Sequence, residues 1–118
     1  MTTDEPWTVR LTALAEADFR GIVEWTVENF GDRQALVYAQ TLLAALEKLT
    51  SGPAAVGVRE RQEISQGIRT LHVGSASRPG RHIIVFRLAA EGRATRAIEV
   101  LRLLHEAMDL EQHISGQE

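Results

Sequence analysis

EVLRLLHEAMDL, residues Glu99 to Leu110, changes period at its midpoint. From Glu99 to Leu104 it reads as a buried strand. From His105 onward Ala107, Met108, Leu110 and Ile114 recur at helical spacing, which predicts a short helix from His105 to Ile114. A buried strand needs neighbours, and the rest of the chain supplies candidates.

Working backward, RAIEVLRLL (96–104), RHIIVFRL (81–88) and GIRTLHVG (67–74) are separated by AAEGRA and SASRPG, both rich in turn formers. Three strands in an antiparallel meander are expected, with RHIIVFRL, apolar on both faces, as a central strand. Residues 54–66, AAVGVRERQEISQ, are polar with small residues and read as a long connection holding at most a short element of its own. Ahead of it lie two helical stripes. The first uses Ala15, Phe19, Ile22, Val23, Thr26 and Phe30, with Thr12 to cap it and Gly31 to stop it. The second uses Ala35, Ala39, Leu42, Leu43, Leu46 and Leu49, with Asp32 to cap it and SGP to end it. Only Gly31 and Asp32 separate the stripes, so the helices fold back as an antiparallel hairpin. WTVRLT (7–12) puts Trp7, Val9 and Leu11 on one side and reads as a first strand.

The expected fold class is therefore α+β. An N-terminal strand and a helix hairpin pack on a small, twisted, mainly antiparallel sheet, and a short C-terminal helix follows. At 118 residues this is one domain, 1–118, with residues 1–5 and 115–118 expected to be loose. Two helices on one face of the sheet would leave the other face partly bare, which is where function is sought.

Composition narrows the chemistry. There is no cysteine, which removes disulfides and thiolate metal sites. His72, His82, His105 and His113 show no paired ligand spacing, so no metal is expected. SGPAAVG lacks the P-loop lysine and the dinucleotide pattern, so no nucleotide cofactor is expected either. No run reaches the ~20 apolar residues of a membrane span and the acidic N-terminus lacks the core of a secretory signal, so the expected location is the cytoplasm. The net charge of −3 is unevenly spread. Residues 1–58 hold four basic and eight acidic side chains, 59–102 nine and four, and 103–118 none and four. The middle segment is a basic island, and twelve of the thirteen cations are arginine, whose planar fork suits carboxylate or phosphate.

LTALAEADFRGIVEWTVENFGDRQALVYAQTLLAALEKL (11–49), GVRERQEISQGIRTL (57–71), GRHIIVFRL (80–88) and IEVLRLLHEAMDLEQHI (98–114), in that order, resemble the ParE branch of the RelE/ParE superfamily of toxin-antitoxin toxins. The resemblance implies a toxin neutralised by a cognate antitoxin protein. For the ParE branch it implies inhibition of DNA gyrase without catalysis, whereas for the RelE branch it implies ribosome-dependent cleavage of messenger RNA. Since the C-terminal segment is implicated in ParE toxicity, His105, Met108, Asp109 and His113 are the residues it suggests for target binding.

A nuclease would need proton-transfer groups and cations around a phosphate, and Arg81, Arg87, Arg102 and His105 have the right types. Strand alternation sets His82 on the face opposite Arg81 and Arg87, so one constellation cannot hold them all. His105 is expected to end the last strand rather than carry chemistry. An overall negative charge is a poor match to ribosomal RNA, and no direct DNA binding is expected of this chain alone. The arginines have a second use: Arg59, Arg61, Arg69, Arg81, Arg87 and Arg102 suit an acidic antitoxin tail that folds on binding, with Trp25 as an off-stripe apolar contact beside Leu36 and Val37.

Overall fold

The computed structural model describes residues 5–75, 77–89, 96–108 and 110. The elements run β1 (Thr8–Leu11), α1 (Ala13–Phe30), α2 (Asp32–Lys48), a 3₁₀ turn (Leu49–Ser51), β2 (Arg59–Glu60), β3 (Arg69–His72), β4 (His82–Leu88) and β5 (Ala97–His105). They form one five-stranded sheet in the order β1-β5-β4-β3-β2. β1 lies parallel to β5, and the other three pairings are antiparallel. β5, the strand expected to be buried, sits between β1 and β4.

Thr12 starts α1 by accepting the Ala15 N–H at 3.1 Å, and its hydroxyl donates to the Leu101 carbonyl at 3.0 Å. One side chain thus caps the helix and ties it to β5. Gly31 joins the helices alone. Its φ of 91° allows its N–H to close α1 on the Val27 carbonyl while its carbonyl opens α2 by accepting the Ala35 N–H. Asp32, expected as the cap of α2, is instead its first helical residue, and no side chain caps that helix. Gly31 adopts an extended left-handed geometry closed to other residues, leaving no separate capping position. In the connection 54–66 the short element is β2, two residues long at the sheet edge.

Between helices and sheet lies the main core, in which Ala15, Leu42, Leu46 and Leu49 meet Leu71, Ile84, Phe86, Ile98, Val100 and Leu103. Burying a side chain such as Phe86 completely contributes about 1.5–3 kcal/mol relative to leaving it in water. Phe30 and Leu43, assigned to the apolar stripes, are 63% and 55% exposed. Phe30 ends its helix, and Leu43 turns away from the buried line of Leu42, Ala45, Leu46 and Leu49.

The far face of the sheet is not bare. Ile64, Ile68, Val85, Leu101, Leu104 and Leu110 form a second buried cluster, and adjacent residues Val85 and Phe86 serve opposite faces. On β5 a bulge alters that alternation: Val85 pairs with Arg102 and Phe86 with Val100, which leaves Leu101 as the extra residue. That insertion keeps Val100 and Leu103, three residues apart, both under the helices, while Leu101 and Leu104 join the second cluster. Cover comes from Ile64 in the long connection and from Leu110, neither of which strand patterning could reveal. No described helix is long and apolar enough to cross a membrane.

Candidate functional site

Titratable side chains gather where β3 and β5 end and β4 begins. Register places His82, the first residue of β4, opposite His105, the last of β5. Their rings meet edge to face with centroids 5.3 Å apart. Tyr38 reaches down from α2, its hydroxyl 2.7 Å from His82 Nδ1. The same oxygen accepts the Arg81 N–H at 3.0 Å, so one hydroxyl joins the Arg81 backbone to the His82 ring. Burial, and then the neighbouring His105, push His82 from 6.5 down to about 4, which keeps it neutral at pH 7. Burial likewise raises Tyr38 above its ordinary value.

Glu106, the first residue after β5, fastens the same corner from outside. Its Oε1 lies 2.7 Å from His72 Nε2, its Oε2 makes a long 3.5 Å contact with Arg81, and its N–H donates to the Arg81 carbonyl. The His72 hydrogen bond holds the Glu106 carboxyl below the usual carboxylate range. His72 Nδ1 accepts the Gly74 N–H at 3.0 Å, and His105 Nδ1 accepts the Ala107 N–H at 3.1 Å. In neutral form His72 and His105 therefore carry their proton on Nε2, and His72 gives its own to Glu106. A general base needs a free ring lone pair, and neutral His72 and His105 offer none. Among the described residues no group of three His, Cys, Asp or Glu side chains is placed to hold a metal ion.

The four residues suited to a nuclease stand apart. Arg102 is forked onto Asp18 of α1 at 2.7 and 2.9 Å, and Asp18 Oδ2 also accepts the Leu103 N–H at 2.9 Å. This carboxylate fills the edge of β5 beyond the point where β1 ends, and it raises the Arg102 guanidinium further above its ordinary value. Arg87 pairs with Glu99 at 3.1 Å. At about 3.3 Å per residue, Arg102 is roughly 10 Å along β5 from His105, and Arg87 roughly 17 Å along β4 from His82. Only Arg81 and His105 share the corner. His105 ends β5 as expected, but the following residues to Met108 form a turn rather than the start of a helix, because the His105 ring and carbonyl bind the Ala107 and Met108 amides. Met108 is 44% exposed, and Asp109, His113 and the remainder of that helix, apart from Leu110, lie outside the described residues.

The arginines suited to an antitoxin are dispersed as well. Arg61 binds Glu63, Arg69 donates to the Pro53 carbonyl at 2.8 Å and approaches Glu60 at 3.8 Å, and Arg81, Arg87 and Arg102 have the acidic partners given above. Arg59, on the edge strand, has neither hydrogen bond nor ion pair to its side chain among the described residues. Trp25 belongs to the helix layer, 57% exposed and edge-on to Phe30 at 5.7 Å. Sequence reasoning missed Asp18, Tyr38 and Glu106. Each acts across 25 or more residues of chain, and only the register of β4 on β5 would have hinted at the corner.

The chain matches the family model described as the ParE toxin of the type II toxin-antitoxin system parDE over residues 9–110. Toxin ParE1 of Mycobacterium tuberculosis is 31% identical over 104 residues, 88% of this chain and 94% of the relative. Toxin ParE1 of Caulobacter vibrioides is 27% identical over 106 residues, 89% and 95% of the two chains. Among solved structures, a chain of the chromosomal ParDE system from P. aeruginosa superposes with a TM-score of 0.62 at 21% identity, covering 84% of this chain and 95% of that one. A chain of the RelBE2 toxin-antitoxin complex from Mycobacterium tuberculosis gives 0.54 at 23% identity, covering 92% and 100%. Both share this arrangement of two helices on a five-stranded mixed sheet.

Proposed function

Since the chain belongs to the ParE toxin family of type II toxin-antitoxin systems, we propose that it acts in the cytoplasm, is neutralised by direct binding of a cognate antitoxin, and when free inhibits DNA gyrase without catalysing a reaction. What carries the non-catalytic part is how the imidazoles at the end of the sheet are tied up: Nδ1 of His72 and of His105 each accepts a backbone N–H, His72 Nε2 is bound to Glu106, and His82 Nδ1 is hydrogen-bonded to Tyr38. Ribonucleolytic cleavage of the RelE type needs a base for the 2′-hydroxyl, and Arg87 and Arg102 are occupied by Glu99 and Asp18. A net charge of −3 favours a protein target over ribosomal RNA. The turn from His105 to Met108, continuing toward Asp109 and His113, is the segment assigned to the target. Trp25 and the arginines Arg59, Arg61, Arg69, Arg81, Arg87 and Arg102 are assigned to the antitoxin, with Arg59 the most available of the six.

Purified chain is expected to block gyrase-driven supercoiling of relaxed plasmid, and equimolar antitoxin to relieve the block. Normal supercoiling at a large excess of toxin rules out the gyrase reading. Discrete new 5′ ends within codons of messenger RNA after induction would replace it with the nuclease. Unimpaired growth on expression without antitoxin would leave an interaction module that has lost toxicity.

A further inference from the structure

A second feature lies on the helix side of the same corner and belongs to neither assignment. Between α2 and the turn joining β3 to β4 is an open recess of about 510 Å³ lined by Gln34, Val37, Tyr38, Thr41, Ser77, Arg78 and Pro79. Two of its polar groups are already used. The Tyr38 hydroxyl serves Arg81 and His82, and the Thr41 hydroxyl donates to the Val37 carbonyl at 3.2 Å. The Gln34 amide, the Ser77 hydroxyl and the Arg78 guanidinium have no hydrogen bond among the described residues, and Arg78 has no ion pair. No lining residue is acidic. The turn itself is braced, since the Ser75 N–H donates to the Arg78 carbonyl and the Arg78 N–H to the Ser75 hydroxyl. Arg78 is thereby held at the rim beside apolar walls from Val37, the Tyr38 ring and Pro79.

The recess offers unspent donors, one unpaired positive charge and an apolar wall. We propose that it receives an acidic side chain, aspartate or glutamate, carried next to an apolar residue on a segment of the cognate antitoxin. The assignment rests on the reading that such an antitoxin exists. A planar guanidinium next to two neutral donors matches a carboxylate, and Val37 with Pro79 matches the adjoining apolar side chain. A nucleic-acid phosphate fits less well, because backbone binding to RNA or DNA calls for several cations in a row and this recess has one.

Two measurements on the full chain test this separately from the antitoxin reading. Calorimetric titration with the antitoxin is expected to show affinity lowered about tenfold or more by Arg78→Ala and further by Arg78→Glu, with part recovered when one antitoxin acid is changed to lysine. Arg78 is exposed on a turn, so folding is not at issue. Affinities within twofold of wild type for both variants overturn the proposal. Independently, titration with N-acetylglutamate, and separately with a uridine hexanucleotide, is followed through the Arg78 Nε and Gln34 side-chain resonances. Shifts with the carboxylate that vanish in Arg78→Ala support the recess. Shifts with RNA alone, or with neither probe, overturn it. Failure of wild-type chain to bind its antitoxin defeats the antitoxin reading, and the carboxylate titration still decides what the recess accepts.

Discussion

Replacing Asp18 with alanine removes one carboxylate that serves three donors: Arg102 Nε at 2.7 Å, Arg102 Nη2 at 2.9 Å and the Leu103 N–H at 2.9 Å. The pair is sheltered, with side-chain exposures of 20% for Arg102 and 15% for Asp18, so solvent weakens it only in part. Hydrogen bonds to charged groups contribute about 1.5 kcal/mol or more each, and breaking a buried pair costs about 3–5 kcal/mol. Allowing for residual hydration, Asp18→Ala is expected to cost about 3 kcal/mol. With an unfolding entropy near 0.25 kcal/mol/K for 118 residues, that corresponds to a fall in Tm of roughly 12 °C. Asp18→Asn, which keeps an acceptor for Leu103 but loses the charge, should lie between the two. Urea denaturation of Asp18→Ala, Arg102→Ala and the double variant gives the coupling directly. A cost below about 1 kcal/mol for Asp18→Ala, or single-variant costs that simply add, would refute the view that this carboxylate completes the open edge of β5.

Three further outcomes are expected. His82 is held at about 4 in the fold against 6.5 when unfolded, so the unfolded chain takes up the proton first and stability present above pH 6.5 is lost as pH falls toward 4. Discounted for its partial exposure, this makes the wild type lose about 1 kcal/mol more than His82→Gln between pH 7 and pH 5, measured by urea midpoints. Gly31→Ala must adopt the φ of 91° that joins α1 to α2, and denaturation should show a loss of about 1–3 kcal/mol although the added methyl meets no atom within 4 Å. Trp25→Ala should leave stability within about 0.5 kcal/mol while weakening antitoxin binding about tenfold, read by thermal melts and calorimetry.

The local parts of the fold were legible because single residues determine them. Thr12 and Gly31 bound α1, and the two-sided apolar run of 81–88 marks β4 as a central strand. What escaped was whatever depends on a partner distant in the chain. Parallel pairing of β1 with β5 leaves no trace in either segment, and Asp18 reads as an ordinary exposed helical acid until Arg102 is brought beside it. The far face reads as partly bare because its cover, Ile64 and Leu110, lies in stretches without strand or long helical pattern. In the candidate site His105 was recognised as a strand end, but the closure of that corner by Tyr38 and Glu106 was not, since hydroxyl and carboxylate arrive from other elements.

The order β1-β5-β4-β3-β2 also bears on how the molecule is made. The first strand produced, Thr8–Leu11, waits for the last, Ala97–His105, before it has any edge to pair with. At about 5–20 residues per second that delay is on the order of ten seconds, during which the nascent helix hairpin has no complete sheet beneath it. A polypeptide released early, before Ala97, would lack the strand that joins both sides of the sheet, so whatever depends on the complete sheet could begin only once Ala97–His105 has been made.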